Sequence, residues 1–314
     1  MAQHLRLLAF LAMVGAIALQ LPVNRARSAE PASQDATTPG LSRETPSTLD
    51  TITVQARKDR EIKRQITKFV SGGVVTLLND SLQRWNQPIC PVVAGLPSKS
   101  AEFIRARMIQ VARDSHAPFG SEHCTPNLVV VATDDPDLLV EKWYKRFRGL
   151  FNTCKGSGPV KKFLHSRQPV RVFYNAISTS AGGPGVGALV LGGVNVSGTG
   201  GCLSVGAGDT WLHHGSVHEL TSVIIVVDGR QITKINMGQL ADYIAMVGLA
   251  QVRVQADTGI APSILHLFQG SDPQPLGLSP WDEAFLQSLY TTDQSSVLEV
   301  PIIEDRMFQQ IVGR

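Results

Sequence analysis

The sequence predicts an α/β fold on three observations: short β-branched runs bounded by turn residues, longer segments of helical spacing between them, and a C-terminal stretch with helical spacing throughout. The runs Leu128-Val-Val-Val-Ala132 and Ser222-Val-Ile-Ile-Val-Val227 are too short for helices and read as buried strands. In chain order, Thr51-Ile-Thr-Val-Gln-Ala56 alternates as a strand, and Arg60 to Trp85 carries helical spacing through Ile62, Ile66, Phe69 and Val70, then Leu77, Leu78 and Leu82, with Gly72-Gly73 as an interruption. A strand is expected over Ile89–Leu96. A helix follows over Ala101–Ser115, with Phe103, Ile104, Met108 and Val111 on one side. After the strand at Leu128–Ala132, Asp135-Pro-Asp137 opens a helix through Val140 and Trp143, with proline in its first turn. Arg171-Val-Phe-Tyr174 is another strand, and the glycine-dense stretch Gly182–Gly208 holds a hairpin strand at Ala188–Leu191. The strand at Ser222–Val227 closes on a turn at Asp228-Gly229. Asn236 caps the next helix, with Gln239 reaching back to it. Ser263 to Gly313 reads as mostly helical.

The N-terminus predicts export. Arg6 precedes an apolar run, Leu7–Leu21, then Pro22 and the small-residue stretch Ala26-Arg-Ser28-Ala29. The run is shorter than the roughly 20 residues of a membrane span, which favours a cleaved Sec signal over residues 1–28 and a periplasmic or secreted product with no membrane span. Residues 29–50, rich in Pro, Ser, Thr and Glu, are expected to be a disordered tether. Residues 51–150 then form an N-terminal α/β region and residues 151–314 a C-terminal region, with no internal repeat.

Removing residues 1–28 takes away Arg6, Arg25 and Arg27 and leaves 26 basic against 26 acidic residues, so the formal charge of +3 belongs to the signal. A neutral chain with mixed charges and few aromatics offers no overall footprint for nucleic acid, and no amphipathic basic helix points to a membrane surface. Cys90, Cys124, Cys154 and Cys202 are an even set in an exported chain, best read as two disulfides. Three pairings are open. The sequential one, Cys90 with Cys124 and Cys154 with Cys202, is favoured because each partner flanks a strand of the same region.

The segment Gly238-Gln-Leu-Ala-Asp-Tyr-Ile-Ala-Met-Val-Gly-Leu249 reads like a zinc-peptidase helix without its ligands. A helix of the H-E-x-x-H-x-x-G type places two imidazoles one turn apart with a Glu between them. Here Ala241 and Ala245 stand at the histidine positions, Asp242 at the Glu and Gln251 at the third ligand. Together with Ser222–Val227, Ser263-Ile-Leu265 and Gly277-Leu-Ser-Pro-Trp-Asp282 through Tyr290, this order of pieces resembles the catalytic half of matrixin-like zinc peptidases of the metzincin clan, over roughly 70 residues. In that clan a strand precedes the zinc helix, a Ser-Ile-Met turn lies beneath the metal, and a final helix follows a Leu-Ser/Thr-x-Asp-Asp signature. Leu265 would take the turn methionine's place. The resemblance implies a zincin-like mixed sheet, an active-site-type helix and a helical C-terminal part. With methyl and amide groups at the ligand positions, it also implies neither metal nor cofactor and a module that binds an extended peptide or an envelope protein. As a whole the chain also resembles a family of secreted proteobacterial proteins that carry a domain of unknown function.

Other constellations carry less. His213, His214, His218 and Glu219 form the densest imidazole cluster, and with Asp242 they are the candidates for a hydrolase site, the competing reading. The sequence His218-Glu219-Leu-Thr-Ser222 lacks the second histidine of a zinc motif, and residues four apart on a strand are about 13 Å apart, too far to share an ion. The glycines from 182 to 193 precede strand-like residues rather than a helix and read as hairpin turns, not a phosphate cradle. Ser180 and Ser197 complete no G-x-S-x-G. Asp134, Asp135 and Asp137 read as helix-capping residues rather than a cation site. The strand-like Thr51–Arg57 also resembles the segment that TonB-dependent receptors offer their energy-coupling partner, but no barrel follows it.

Overall fold

The computed structural model describes residues 48–73, 81–151, 157–180, 210–253 and 255–313. One sheet organises them. Its strands are β1 (Pro91–Ala94), β2 (Leu128–Thr133), β3 (Val170–Ser180) and β4 (Ser216–Asp228), in the order β1-β2-β4-β3. β1 and β4 run parallel to β2, whereas β3 lies antiparallel to β4, with Val172 opposite Ile225 and Ser178 opposite His218. A register shift falls between Asn175 and Ala176. The two parts of the sequence on either side of residue 150 each give two strands, and β4 sits between β2 and β3, so they share this sheet.

The unbroken apolar run of β4 is explained by helices on both faces. Its side chains alternate between two cores, as a strand's period of two requires. Val223, Ile225 and Val227 enter the larger core, with Leu128 and Val130 of β2. Ile224 and Val226 enter a smaller one, with Phe173 of β3, Val140, Phe151, Val160 and Phe163. The larger core is covered by α1 (Thr48–Gly73), α2 (Ser98–Asp114), α5 (Met237–Leu249), α6 (Pro280–Thr291) and α7 (Glu299–Val312). The smaller one is covered by α3 (Pro136–Arg146) and α4 (Gly158–Leu164).

Local signals place several of these elements where the sequence puts them. The Asp135 side chain accepts the Leu138 N–H, and Pro136 stands in the first turn of α3. At α5 the predicted capping box forms, with the Gly238 N–H donating to Asn236 Oδ1 at 2.7 Å and the Asn236 N–H to Gln239 Oε1 at 2.9 Å.

Two expectations are corrected. Thr51–Ala56 is not a strand but part of α1, which starts at Thr48 inside the expected tether. A β preference is worth about 1 kcal/mol in all, whereas adding residues to a nucleated helix is cheap; pairs such as Gln55 Nε2 to Asp59 Oδ1 at 2.8 Å support the extension. The helix expected over Arg60–Trp85 ends at Gly73, where a Cβ on Gly72 would lie 1.8 Å from the Asp257 carbonyl oxygen. Leu82 and Trp85 are buried from a non-helical segment whose Arg84 carbonyl accepts the Leu220 N–H of β4 at 2.8 Å. α5 runs to Leu249 and caps at Ala250, with Gly248 inside its last turn. That glycine lets α5 pass close to β2, since an added Cβ would meet Leu128 at 3.3 Å.

Cys90 and Cys124 form a disulfide, tying the start of β1 to the loop after α2. The expected Cys154–Cys202 pair, the hairpin strand at Ala188–Leu191, the expected signal and all but the last three residues of the tether lie outside the described residues. No helix among the described residues is long and apolar enough to cross a membrane.

Candidate functional site

The candidate site is built around α5. Every residue from Leu240 to Leu249 is buried, and Ala241 and Ala245, at the two histidine positions of the resemblance, have no exposed surface. Gln251 is half-buried just past the helix, and Leu265 is buried in the short turn Ile264–His266, which packs on α5. Alanine methyls and a single amide do not fit Zn²⁺, which takes thiolate, imidazole or carboxylate ligands. Among the described residues no three His, Cys, Asp or Glu side chains converge closely enough to hold a metal ion.

Asp242 stands at the Glu position, and both of its oxygens are engaged. Oδ1 accepts from Arg107 Nε of α2 at 2.5 Å, and Oδ2 accepts from the Leu278 N–H at 2.9 Å. Gly277 is required there, because a Cβ would sit 2.5 Å from Oδ2. The carboxylate therefore clamps α5 to α2 and to the segment leading into α6. Arg107 was hidden in the sequence, although its place three residues after Ile104, at the margin of the apolar face of α2, is the signal that could have found it.

A second buried carboxylate joins the turn to α6. Asp282 accepts from Ser263 Oγ at 2.6 Å, from the Ile264 N–H at 2.8 Å and from the Ser279 N–H at 2.9 Å, and it completes a capping box with Ser279. Burial pushes its carboxyl up to about 6, against the opposing pull of these hydrogen bonds. At the far end of α6, Tyr290 Oη donates to the Leu249 carbonyl at 2.6 Å. Asp282 and Tyr290 thus tie the Ser263–Leu265 turn and α6 to their neighbours.

The imidazoles lie elsewhere, and no hydrogen bond or ion pair of the described residues joins them to Asp242. His218 of β4 has its Nδ1 2.9 Å from Ser178 Oγ of β3, its directly opposed neighbour in the register. Its backbone is held by Ser81 Oγ and Gln294 Nε2. Glu219, half-buried beside it, forms a parallel bridge with Arg84. His213 is exposed, bridges Ser296, and has Nδ1 3.1 Å from Ser295 Oγ, while the His214 N–H donates to the Ser295 carbonyl at 2.6 Å. Ser295 Oγ gives its own proton to Asp293 Oδ1 at 2.9 Å. His213 is then the donor to that hydroxyl and not its base, the reverse of what a serine nucleophile needs. Of the three aspartates weighed as a cation site, Asp135 caps α3 and Asp137 pairs with Arg167 and Arg171.

Sheet edges complete the site. β4 is paired on both sides, so it cannot accept a further strand. β3 pairs with β4 from Val170 to Ser180. It also runs against the end of α5, where Tyr174 Oη donates to the Val247 carbonyl at 2.8 Å. Comparison of the chain with protein-family models, with curated proteins and with solved structures finds no match in any of the three.

Proposed function

We propose that the chain is an exported, non-catalytic binding module on a zinc-peptidase-like scaffold, and that it binds an extended peptide or an envelope protein. The observation that carries this reading is the state of α5: buried alanines where ligands would stand, and a carboxylate that is fully engaged in holding the helix. A carboxylate spent on Arg107 and a backbone N–H, beside alanines that cannot ligate a metal, is poorly placed to act as the base of a zinc peptidase. A peptide array tests this: the reading expects peptides that are bound and left intact, and cleavage of a bound peptide would refute it.

A hydrolase is the second reading, favoured by the 2.9 Å contact between His218 and Ser178. The antiparallel register already accounts for that contact, since directly opposed side chains lie about 5 Å apart at Cβ. Labelling of Ser178 by a fluorophosphonate probe, abolished by His218→Ala, would establish it over the first.

A further inference from the structure

Between Lys142 and Arg171 the sequence carries nine of the chain's 29 Lys and Arg residues and none of its 26 Asp and Glu residues. The near-neutral total conceals this run. The structure gathers its described part into one layer, because α3 and α4 pack together on the sheet through Val140, Val160 and Phe163 and thereby turn their polar sides outward. Glu141 engages Lys145, and Asp137 engages Arg167 and Arg171. Lys142, Arg146, Arg148, Lys161 and Lys162 are exposed and meet no carboxylate in the ion pairs of the described residues.

Apolar side chains are exposed among these cations. Leu138 is 45%, Phe147 48% and Leu150 45% exposed, on and just after α3. Arg146 lies over the Phe147 ring at 5.6 Å and Arg148 over Tyr144 at 5.5 Å. Uncompensated cations interleaved with exposed apolar side chains suit a surface that is anionic outside and hydrocarbon beneath.

We propose that the α3–α4 layer docks on anionic phospholipid. A single-stranded nucleic acid would also neutralise the cations, but it needs free aromatic faces for its bases. Two of the three exposed apolar side chains here are leucines, and Arg146 already covers the third. Each Lys or Arg near an anionic membrane contributes about 1 kcal/mol, so five of them can hold a protein there reversibly.

The test is co-sedimentation of the full chain with vesicles of phosphatidylcholine alone and of phosphatidylcholine with phosphatidylglycerol. The neutral vesicles report what the apolar run Leu7–Leu21 contributes by itself. Tighter binding to the anionic vesicles is expected, reversed at about 0.5 M salt, where the screening length is only a few ångströms. Lys161→Glu with Lys162→Glu, and separately Arg146→Glu with Arg148→Glu, should each weaken it at least about tenfold. Lys58→Glu with Lys99→Glu, the same charge change elsewhere, should leave it within about twofold. Because these substitutions are on the surface, an unchanged thermal midpoint confirms folding; Phe147→Ser with Leu150→Ser gives an uncharged second variant that should also bind more weakly. Equal binding to both vesicles, equal loss in the control variant, or binding of an oligonucleotide without binding of anionic vesicles would overturn the proposal.

Discussion

Asp242 of α5 and Arg107 of α2, 135 residues apart, meet at 2.5 Å, and the other oxygen of the same carboxylate takes the Leu278 N–H. Arg107→Ala should therefore destabilise the fold by about 1–3 kcal/mol, less than for a fully buried pair because the arginine is 28% exposed. Gly277→Ala should cost a comparable amount by driving a methyl into Asp242 Oδ2. The double variant Arg107→Ala with Asp242→Ala should lose less than the sum of the singles, since both act on one clamp. Urea midpoints of the four proteins decide it; strict additivity would mean that the pair is not coupled.

Asp282 supplies a pH prediction. Its carboxyl is raised to about 6 in the folded chain, whereas an unfolded chain has the ordinary value of 3.8. Between those values the folded state holds the proton more tightly, so this residue's contribution to stability is largest below pH 4 and falls as pH rises toward 6, then stays level. The wild-type stability minus that of Asp282→Asn should decline across that window by up to about 3 kcal/mol. Taking the difference removes the opposing trends of Asp137, Asp228 and Asp293, whose carboxyls are lowered. A difference that rises or stays flat from pH 4 to 6 would refute the assignment.

What the sequence disclosed and what it hid follow one physical line. β4, the Asn236 box and the Asp135 cap were legible because each signal lies within a few residues: a run of β-branched side chains, or a polar group next to the N–H it caps. The extended path of Leu82 to Trp85 was not, because what straightens it is the remote strand residue Leu220. The strand-like Thr51–Ala56 misled for the converse reason, since the helix that follows it extends backward through it. At the site, Ala241, Ala245 and Asp242 could be named from spacing, but the partner that occupies Asp242 lies on another helix.

Ala241→His and Ala245→His, which put imidazoles back at the two positions, should each cost about 1–3 kcal/mol, because both methyls sit in a close-packed core with no exposed surface. Thermal unfolding of the variants measures it. A double variant as stable as the wild type would mean that space for ligands has been kept.

Loss of the Cys90–Cys124 disulfide, which closes a 34-residue separation, should lower stability by roughly 3–4 kcal/mol. Comparison of Cys90→Ser with Cys124→Ser checks the pairing independently. The two single variants and the double should be nearly equal, whereas a further loss in the double would point to other partners.

The central claim is that this scaffold has given up metal catalysis, and the most direct measurement is zinc per chain by mass spectrometry, made together with cleavage of a denatured protein substrate. After equilibration with zinc and dialysis, the account predicts far less than one zinc per chain and no cleavage above a buffer control. One zinc retained per chain, with substrate cut in proportion to it, would contradict the account.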